Sequence, residues 1–227
     1  MEQQQRRTVR RRIFAIAAGG AALGLGVAAT LAAWTDTEWV FGGDGDGGPG
    51  VGTSTFAIEQ NTDAPDFDPG LWVDEPENPG GEMVFTADGI LGTDLSPGDS
   101  VYASVALRTK ATSIAGDVEL QPAVPAAGIA ADDPDGLLFA ALDVRVATSA
   151  TAFPCNATAF TGGATVIADG DLATTGGSAT QALAEESGSV QYYCFEVTLP
   201  ESVNDEADPS VYMDRAVAPA WEFVATS

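Results

Sequence analysis

Over residues 100–108 the chain alternates strictly, with Val101, Ala103, Val105 and Leu107 on one side and Tyr102, Ser104, Ala106 and Arg108 on the other. Successive side chains of a strand point to opposite faces, so a period of two presents one apolar face to a core. A helix would scatter the same apolar residues around its circumference. The alternation recurs where Ser54, Phe56 and Ile58 oppose Thr55, Ala57 and Glu59, and where Val118 and Leu120 oppose Asp117, Glu119 and Gln121. It recurs again at Leu138, Ala140, Leu142, Val144 and Val146, at Tyr193, Phe195, Val197 and Leu199, and at Trp221, Phe223 and Ala225. Short runs over residues 82–86 and 165–168 add to the set. Gly, Pro and Asp fill the connections, and no segment carries a convincing amphipathic helical period. The pattern predicts an all-β domain of about eight strands, an antiparallel two-layer β-sandwich in which each sheet keeps one wet face. Residues 61–81, rich in Pro, Asp and Gly, form a long loop with Trp72 as its packing foot.

The N-terminus follows a different rule. Arg6, Arg7, Arg10, Arg11 and Arg12 hold most of the nine basic residues, and an uncharged run from Ile13 to Thr35 follows at once. A basic segment leading into an apolar one is the export signature and predicts a signal helix. Up to Ala33, only Ile13, Phe14, Ile16, Leu23, Leu25, Val27 and Leu31 are large and apolar. The run reaches the roughly 20 residues that cross a bilayer, yet it is weakly hydrophobic for a permanent anchor. Cleavage beside Ala33, in the small-residue region Leu31, Ala32, Ala33 and Trp34, is the better reading; a retained anchor is the alternative. Arg11-Arg12-Ile13-Phe14 also half-matches a twin-arginine signal, though no cofactor motif follows it. The chain thus divides into a signal peptide over 1–33, a junction and Gly/Asp-rich tether over 34–52, and the sandwich domain over 53–227.

Charge narrows the partners. The sequence holds 33 acidic residues, a net charge of −24 and no histidine. Beyond the leader the only bases are Arg108, Lys110, Arg145 and Arg215, which argues against nucleic acid and leaves the leader as the sole membrane contact. The acidity suits solubility outside the cell or in salt, with calcium as the other reading. Asp63, Asp66 and Asp68, or Asp132, Asp133 and Asp135, could offer oxygen ligands from turns. Asp44-Gly45-Asp46 begins like an EF-hand loop, but Gly48 and Pro49 occupy its third ligand and its glycine position. No cofactor is otherwise expected.

Without histidine, Ser-His-Asp and Cys-His sites and His-ligated zinc are impossible. No G-x-S-x-G elbow, P-loop or dinucleotide fingerprint occurs. Carboxylate pairs of the glycosidase kind stay open, without a location. The expectation is a protein that is not an enzyme. Cys155 and Cys194 are the only cysteines. In an exported chain such a pair reads most simply as a disulfide, here pinning a loop to a strand, with two free thiols as the alternative. Asn156-Ala157-Thr158 is a formal N-glycosylation sequon, of a kind most bacteria leave unmodified.

Two short stretches carry a family resemblance. Thr30-Leu31-Ala32-Ala33-Trp34-Thr35-Asp36 resembles the end of a SipW-dependent-type signal peptide, in which a Gly/Ala-rich segment runs into a T-x-A-x-W/F-x-D junction cut by a dedicated signal peptidase. Asp94-Leu95-Ser96-Pro97-Gly98-Asp99-Ser100-Val101 is similar to the L-x-P-G-D turn that precedes a strand in the TasA/camelysin-like secreted family. The resemblance implies a jelly-roll-like sandwich in a secreted or cell-surface protein. It also implies a fibre or biofilm-matrix subunit whose self-association passes a strand from one molecule to the sheet of the next. Trp34, Trp39, Val40 and Phe41, on a tether over residues 42–52, are the possible donor strand, though the better reading is that these aromatics only mark the cleavage junction or pack on their own domain. Camelysin is classed as a peptidase, but no zinc-ligand set accompanies the resemblance here. The alternative is a monomeric extracellular binding module using its long acidic loops, residues 61–81 and 199–214.

Overall fold

Among the described residues, twelve antiparallel strands and one short α-helix build the domain. In chain order the strands are β1 Ile58–Asn61, β2 Thr86–Ala87, β3 Ile90–Leu91, β4 Ser100–Thr109, β5 Gly116–Leu120 and β6 Val124–Pro125. Then come β7 Asp143–Ser149, β8 Thr165–Asp171, β9 Gln181–Leu183, β10 Gln191–Thr198, β11 Pro219–Ala220 and β12 Phe223–Thr226, with helix α1, Leu137–Ala141, before β7. The computed structural model describes residues 37–40, 46, 50, 52–87, 90, 91 and 94–227, whose compact unit is Thr53–Ser227. The expected signal helix lies outside the described residues.

The strictly alternating segment becomes the longest strand and the frame of the larger sheet. β4 pairs with β10 along its length, Gln191 opposite Leu107 through Thr198 opposite Ser100. β10 pairs in turn with β7, and β7 with β8. The other edge of β4 is shared by β1 and the β2–β3 hairpin. Entry into β4 is set by the Pro97-Gly98 turn. Gly98 has φ 94°, which a side chain would strain, and the Asp99 carboxylate accepts from Ser96 N at 2.9 Å.

The second layer is the smaller sheet β12–β5–β9. The β6–β11 pair prolongs it: Gln121 N donates to Glu222 O at 2.9 Å and Ala126 N to Ala218 O at 2.8 Å. Residues 116–126 thus run antiparallel to residues 218–226 as one irregular ribbon. Its inward side chains meet those of the larger sheet. Tyr193 lies 4.8 Å from Phe223 and Phe195 lies 4.7 Å from Trp221, ring to ring. Around them Val101, Val105, Leu107, Val118, Leu120, Val144, Val146 and Leu183 are buried. Tyr193 keeps its hydroxyl satisfied on Gln181 Oε1 at 3.1 Å. This is the antiparallel two-layer sandwich that the alternation predicts.

Two expectations need correction. Residues 138–146 do not form one strand; Leu137–Ala141 is helical and only Asp143 onward is extended. The cause is Asp133, whose carboxylate accepts from Leu138 N at 3.1 Å and Phe139 N at 2.9 Å. Those bonds satisfy first-turn donors that a strand would have to pair elsewhere. Nor is the outer face of the larger sheet wet. Phe67 packs edge-on against Tyr192 with centroids 5.3 Å apart, and the Arg108 guanidinium sits 4.0 Å over Trp72. At the other end Phe160 covers Tyr102 at 6.4 Å and Arg145 at 4.6 Å. Residues 61–81 and 150–164 therefore roof that face, and Ala106, Ala147 and Cys194 are fully buried beneath them.

Candidate functional site

The second layer ends in a strand with one neighbour. β12 is hydrogen-bonded to β5 and lies at the edge of its sheet. Because Gln121 N bonds Glu222 O, the backbone groups of residues 222, 224 and 226 face β5, while those of Phe223 and Ala225 face outward. Val224 is 40% exposed on the solvent side of the strand. On the core side, the Trp221 Nε1 is the one buried side-chain polar atom among the described residues without a hydrogen-bond partner. An unpaired buried donor of this kind costs about 1–3 kcal/mol.

Two strands of the larger sheet, β1 and β8, manage their edges differently. On β1, Gln60 N donates to Val73 O at 2.8 Å and Val73 N returns the bond to Gln60 O at 2.9 Å. On β8, Ser178 N donates to Ile167 O at 2.7 Å, and exposed Asp169 and Asp171 flank Gly170 at φ 153°. Inserted charge and bonded loops are the usual ways to blunt an edge against another strand.

Of the possible donor residues, Trp39 and Val40 are 92% and 95% exposed. Trp34 and Phe41, and the cleavage-region residues Leu31, Ala32 and Ala33, lie outside the described residues. Cys155 and Cys194 form the expected disulfide, with Cα atoms 5.2 Å apart. The bond fastens the 150–164 excursion to the centre of β10. Among the described residues no helix is long and apolar enough to cross a membrane.

Under that excursion lies a buried charge. Glu196 is 4% exposed, accepts from the Tyr102 hydroxyl at 2.8 Å and is ion-paired with Arg145. Burial, then the bond to Glu196, pushes the Tyr102 phenol up to about 12. The same pairing raises the Arg145 guanidinium further. Each member meets the others' hydrogen-bonding need, the arrangement that makes a buried carboxylate tolerable. Nearby, burial raises the Asp143 carboxyl, helped by Asp171 and Asp169.

The acidic turns hold the chain itself. Asp133 and Asp135 both grip Arg215, the first at 2.5 Å. Burial acts to raise the Asp133 carboxyl, but the N–H groups of Phe139 and Leu138 and the Arg215 guanidinium outweigh it and hold it below the usual range. The bond from Arg215 lowers Asp135 likewise. A guanidinium thus takes the place a calcium ion would need between these carboxylates, which corrects the expectation for Asp132, Asp133 and Asp135. In the other cluster, Asp68 accepts from Gly70 N at 2.7 Å and Asp63 from Asp68 N at 3.4 Å, as turn-capping carboxylates do. Among the described residues no three such groups converge on a metal position, Asp66 included.

Both candidate binding loops spend side chains on the fold. Residues 61–81 are held by Phe67, Trp72 and the Asp74–Lys110 ion pair. Residues 199–214 coil into two 3₁₀ turns, Glu201–Asp205 and Pro209–Tyr212. Sequence reasoning missed Trp221 Nε1, Glu196 and Arg215 as special positions. The scarcity of bases was a usable signal for Arg215, whereas Glu196 reads like any outward-facing acid of a strand. No protein-family model matches this chain, and no curated protein matches it in sequence.

Proposed function

We propose that this chain is a structural subunit of the cell surface or extracellular matrix, exported and then joined copy to copy by strand addition. The observation that carries the reading is the edge of β12, whose Phe223 and Ala225 backbone groups face outward and make no hydrogen bond to another described residue. An open edge offers a row of donors and acceptors to any extended segment. The donor is the segment over residues 34–41. Trp39 and Val40 offer exposed apolar surface there, and the glycine-rich residues 42–52 give it reach. An intramolecular disulfide is compatible with an extracellular protein, as is the basic-then-apolar leader. The TasA-like resemblance points the same way.

The test is to purify the exported protein and examine it by negative-stain microscopy. Filaments that vanish when residues 34–41 are deleted are the expected result. A stable monomer at high concentration, with or without that segment, would overturn the reading and favour a monomeric binding module.

A further inference from the structure

The only N-x-S/T sequon of the chain, Asn156-Ala157-Thr158, lies within the disulfide-pinned excursion. Asn156 and Thr158 are both exposed, directly after Cys155. Asn156 has extended backbone angles, φ −164° and ψ −174°, and caps a 3₁₀ turn over Ala157–Phe160. Its Oδ1 accepts from Thr158 N at 2.9 Å and from Thr158 Oγ1 at 2.6 Å. The side chain is therefore held with its oxygen turned toward the threonine, and Nδ2 makes no bond to another described residue. Beside it, Phe153, Pro154, Ala159 and Ala164 line a shallow hollow of about 150 Å³.

Sequence, exposure and turn geometry converge on one chemistry. We propose that Asn156 is an N-glycosylation site, and that the hollow next to it receives the apolar face of the first pyranose. The reaction is a glycosyl transfer from an oligosaccharide activated on a lipid phosphate or pyrophosphate. The Asn156 Nδ2 bonds to the anomeric carbon as the carbon–oxygen bond to phosphate breaks. The lipid phosphate leaves with the electron pair, and the amide gives up one proton. A threonine two residues after the acceptor, a residue other than proline between them, and a surface position are what such transfer requires. The glycan would shield the excursion that roofs Glu196 and would add neutral, hydrated bulk to a strongly acidic surface. The inference rests on export but not on assembly.

Two substitutions isolate the acceptor from the fold. Asn156→Asp keeps a capping oxygen, since Asp and Asn cap alike. Ala157→Pro removes the sequon while leaving Asn156 in place. Residue 157 is the first position of the turn, where proline is tolerated, and the extended Asn156 suits the residue before a proline. The full-length protein and both variants should be made in the native producer and purified from cells and medium together. Peptide mass spectrometry is expected to find sugar on the Asn156 peptide of the wild type and none on either variant, with unchanged thermal unfolding of the deglycosylated forms. An unmodified Asn156 in every wild-type pool, or sugar that persists in both variants, overturns the proposal. Filaments built from unglycosylated subunits would remove this inference and leave the assembly reading standing; a glycosylated monomer would do the reverse.

Discussion

Cys194 lies in the middle of β10, but its sulfur leaves the strand on the side away from the core and meets Cys155 above the sheet. The bond holds a roof rather than the core. It closes a loop of 39 residues, so its removal from the unfolded ensemble costs up to roughly 4 kcal/mol. Cys155→Ala/Cys194→Ala is expected to lower the denaturant midpoint and to steepen the slope, since the freed unfolded chain exposes more surface. Limited proteolysis of the variant should cut first within residues 150–164, because Phe160 and its neighbours lose their tether. Early cuts in β10 or β7 would show that the disulfide holds the sheet itself.

Tyr102 and Glu196 share one hydrogen bond under that roof, and the phenol is the better reporter. Its folded value of about 12 lies above the ordinary 10.0, so the neutral phenol stabilises the fold. That contribution is fully present below pH about 10 and is lost as pH rises through about 12. Absorbance titration of Tyr102→Phe against the wild type should remove a late-ionising component. Glu196→Gln should bring the Tyr102 transition down, since one cause of the shift goes, while burial keeps part of it. The same variant should cost about 1–3 kcal/mol, the range for disturbing a buried hydrogen-bonded group. A Tyr102 transition unmoved by Glu196→Gln would assign the whole shift to burial.

The period-two pattern at Val101–Leu107 and Tyr193–Leu199 made the larger sheet legible, because those strands bury one face in full register. The cysteine pair was legible for a different reason, its isolation in an exported chain. Helix α1 was not. Leu138, Ala140 and Leu142 continue the alternation of β7, and what breaks it is Asp133 reaching forward to the N–H groups of Leu138 and Phe139. The ribbon of residues 116–126 and 218–226 was equally hidden, since its pairing joins segments about a hundred residues apart. The roofed outer face was missed because Tyr102, Arg108, Tyr192 and Glu196 look solvated in a strand pattern. Only Phe67, Trp72 and Phe160, carried by loops, show otherwise.

Arg215 ties the segment before β11 to the turn that starts α1, and its effect is read on the acid side. Asp133 and Asp135 titrate below their ordinary 3.8 in the fold, so their contribution is present above that value and lost as pH falls through the depressed one. Arg215→Ala should lower stability at neutral pH and flatten the acid limb of a denaturation profile. Arg215→Lys, which keeps the charge but not the planar fork, should fall between the two. Calorimetric addition of millimolar calcium to Arg215→Ala should then give heat if these carboxylates can hold a cation once the guanidinium is gone. An acid limb identical to that of the wild type would show that the backbone bonds from Leu138 and Phe139 carry the depression alone.

A chain of net charge −24 repels itself within and between copies. Raising ionic strength from 0.1 M to 1 M shortens the screening length from about 10 Å to about 3 Å. The unfolding temperature should therefore rise with salt, and any self-association should become tighter. Association that weakens with salt, followed by light scattering, would mean that opposite charges rather than strand pairing join the copies.

The edge of β12 can be closed without disturbing the core, which makes the assembly reading testable at single residues. Val224 points to solvent, so Val224→Lys places a charge on the edge strand while leaving the pairing of Glu119 with residue 224 intact. Ala225 presents its N–H outward, so Ala225→Pro deletes a donor that an added strand needs and no bond to β5. Both variants should keep a near-native unfolding midpoint, with Ala225→Pro the more costly because its side chain faces inward. Filament formation should be lost in both, as in the deletion of residues 34–41. Substituting Asp169 on the far edge of the larger sheet by Lys should leave filaments unchanged. Filaments that survive Val224→Lys and Ala225→Pro but fail with Asp169→Lys would place the joint on β8. The donor segment would then have to pair across an edge that Ser178 already occupies at Ile167.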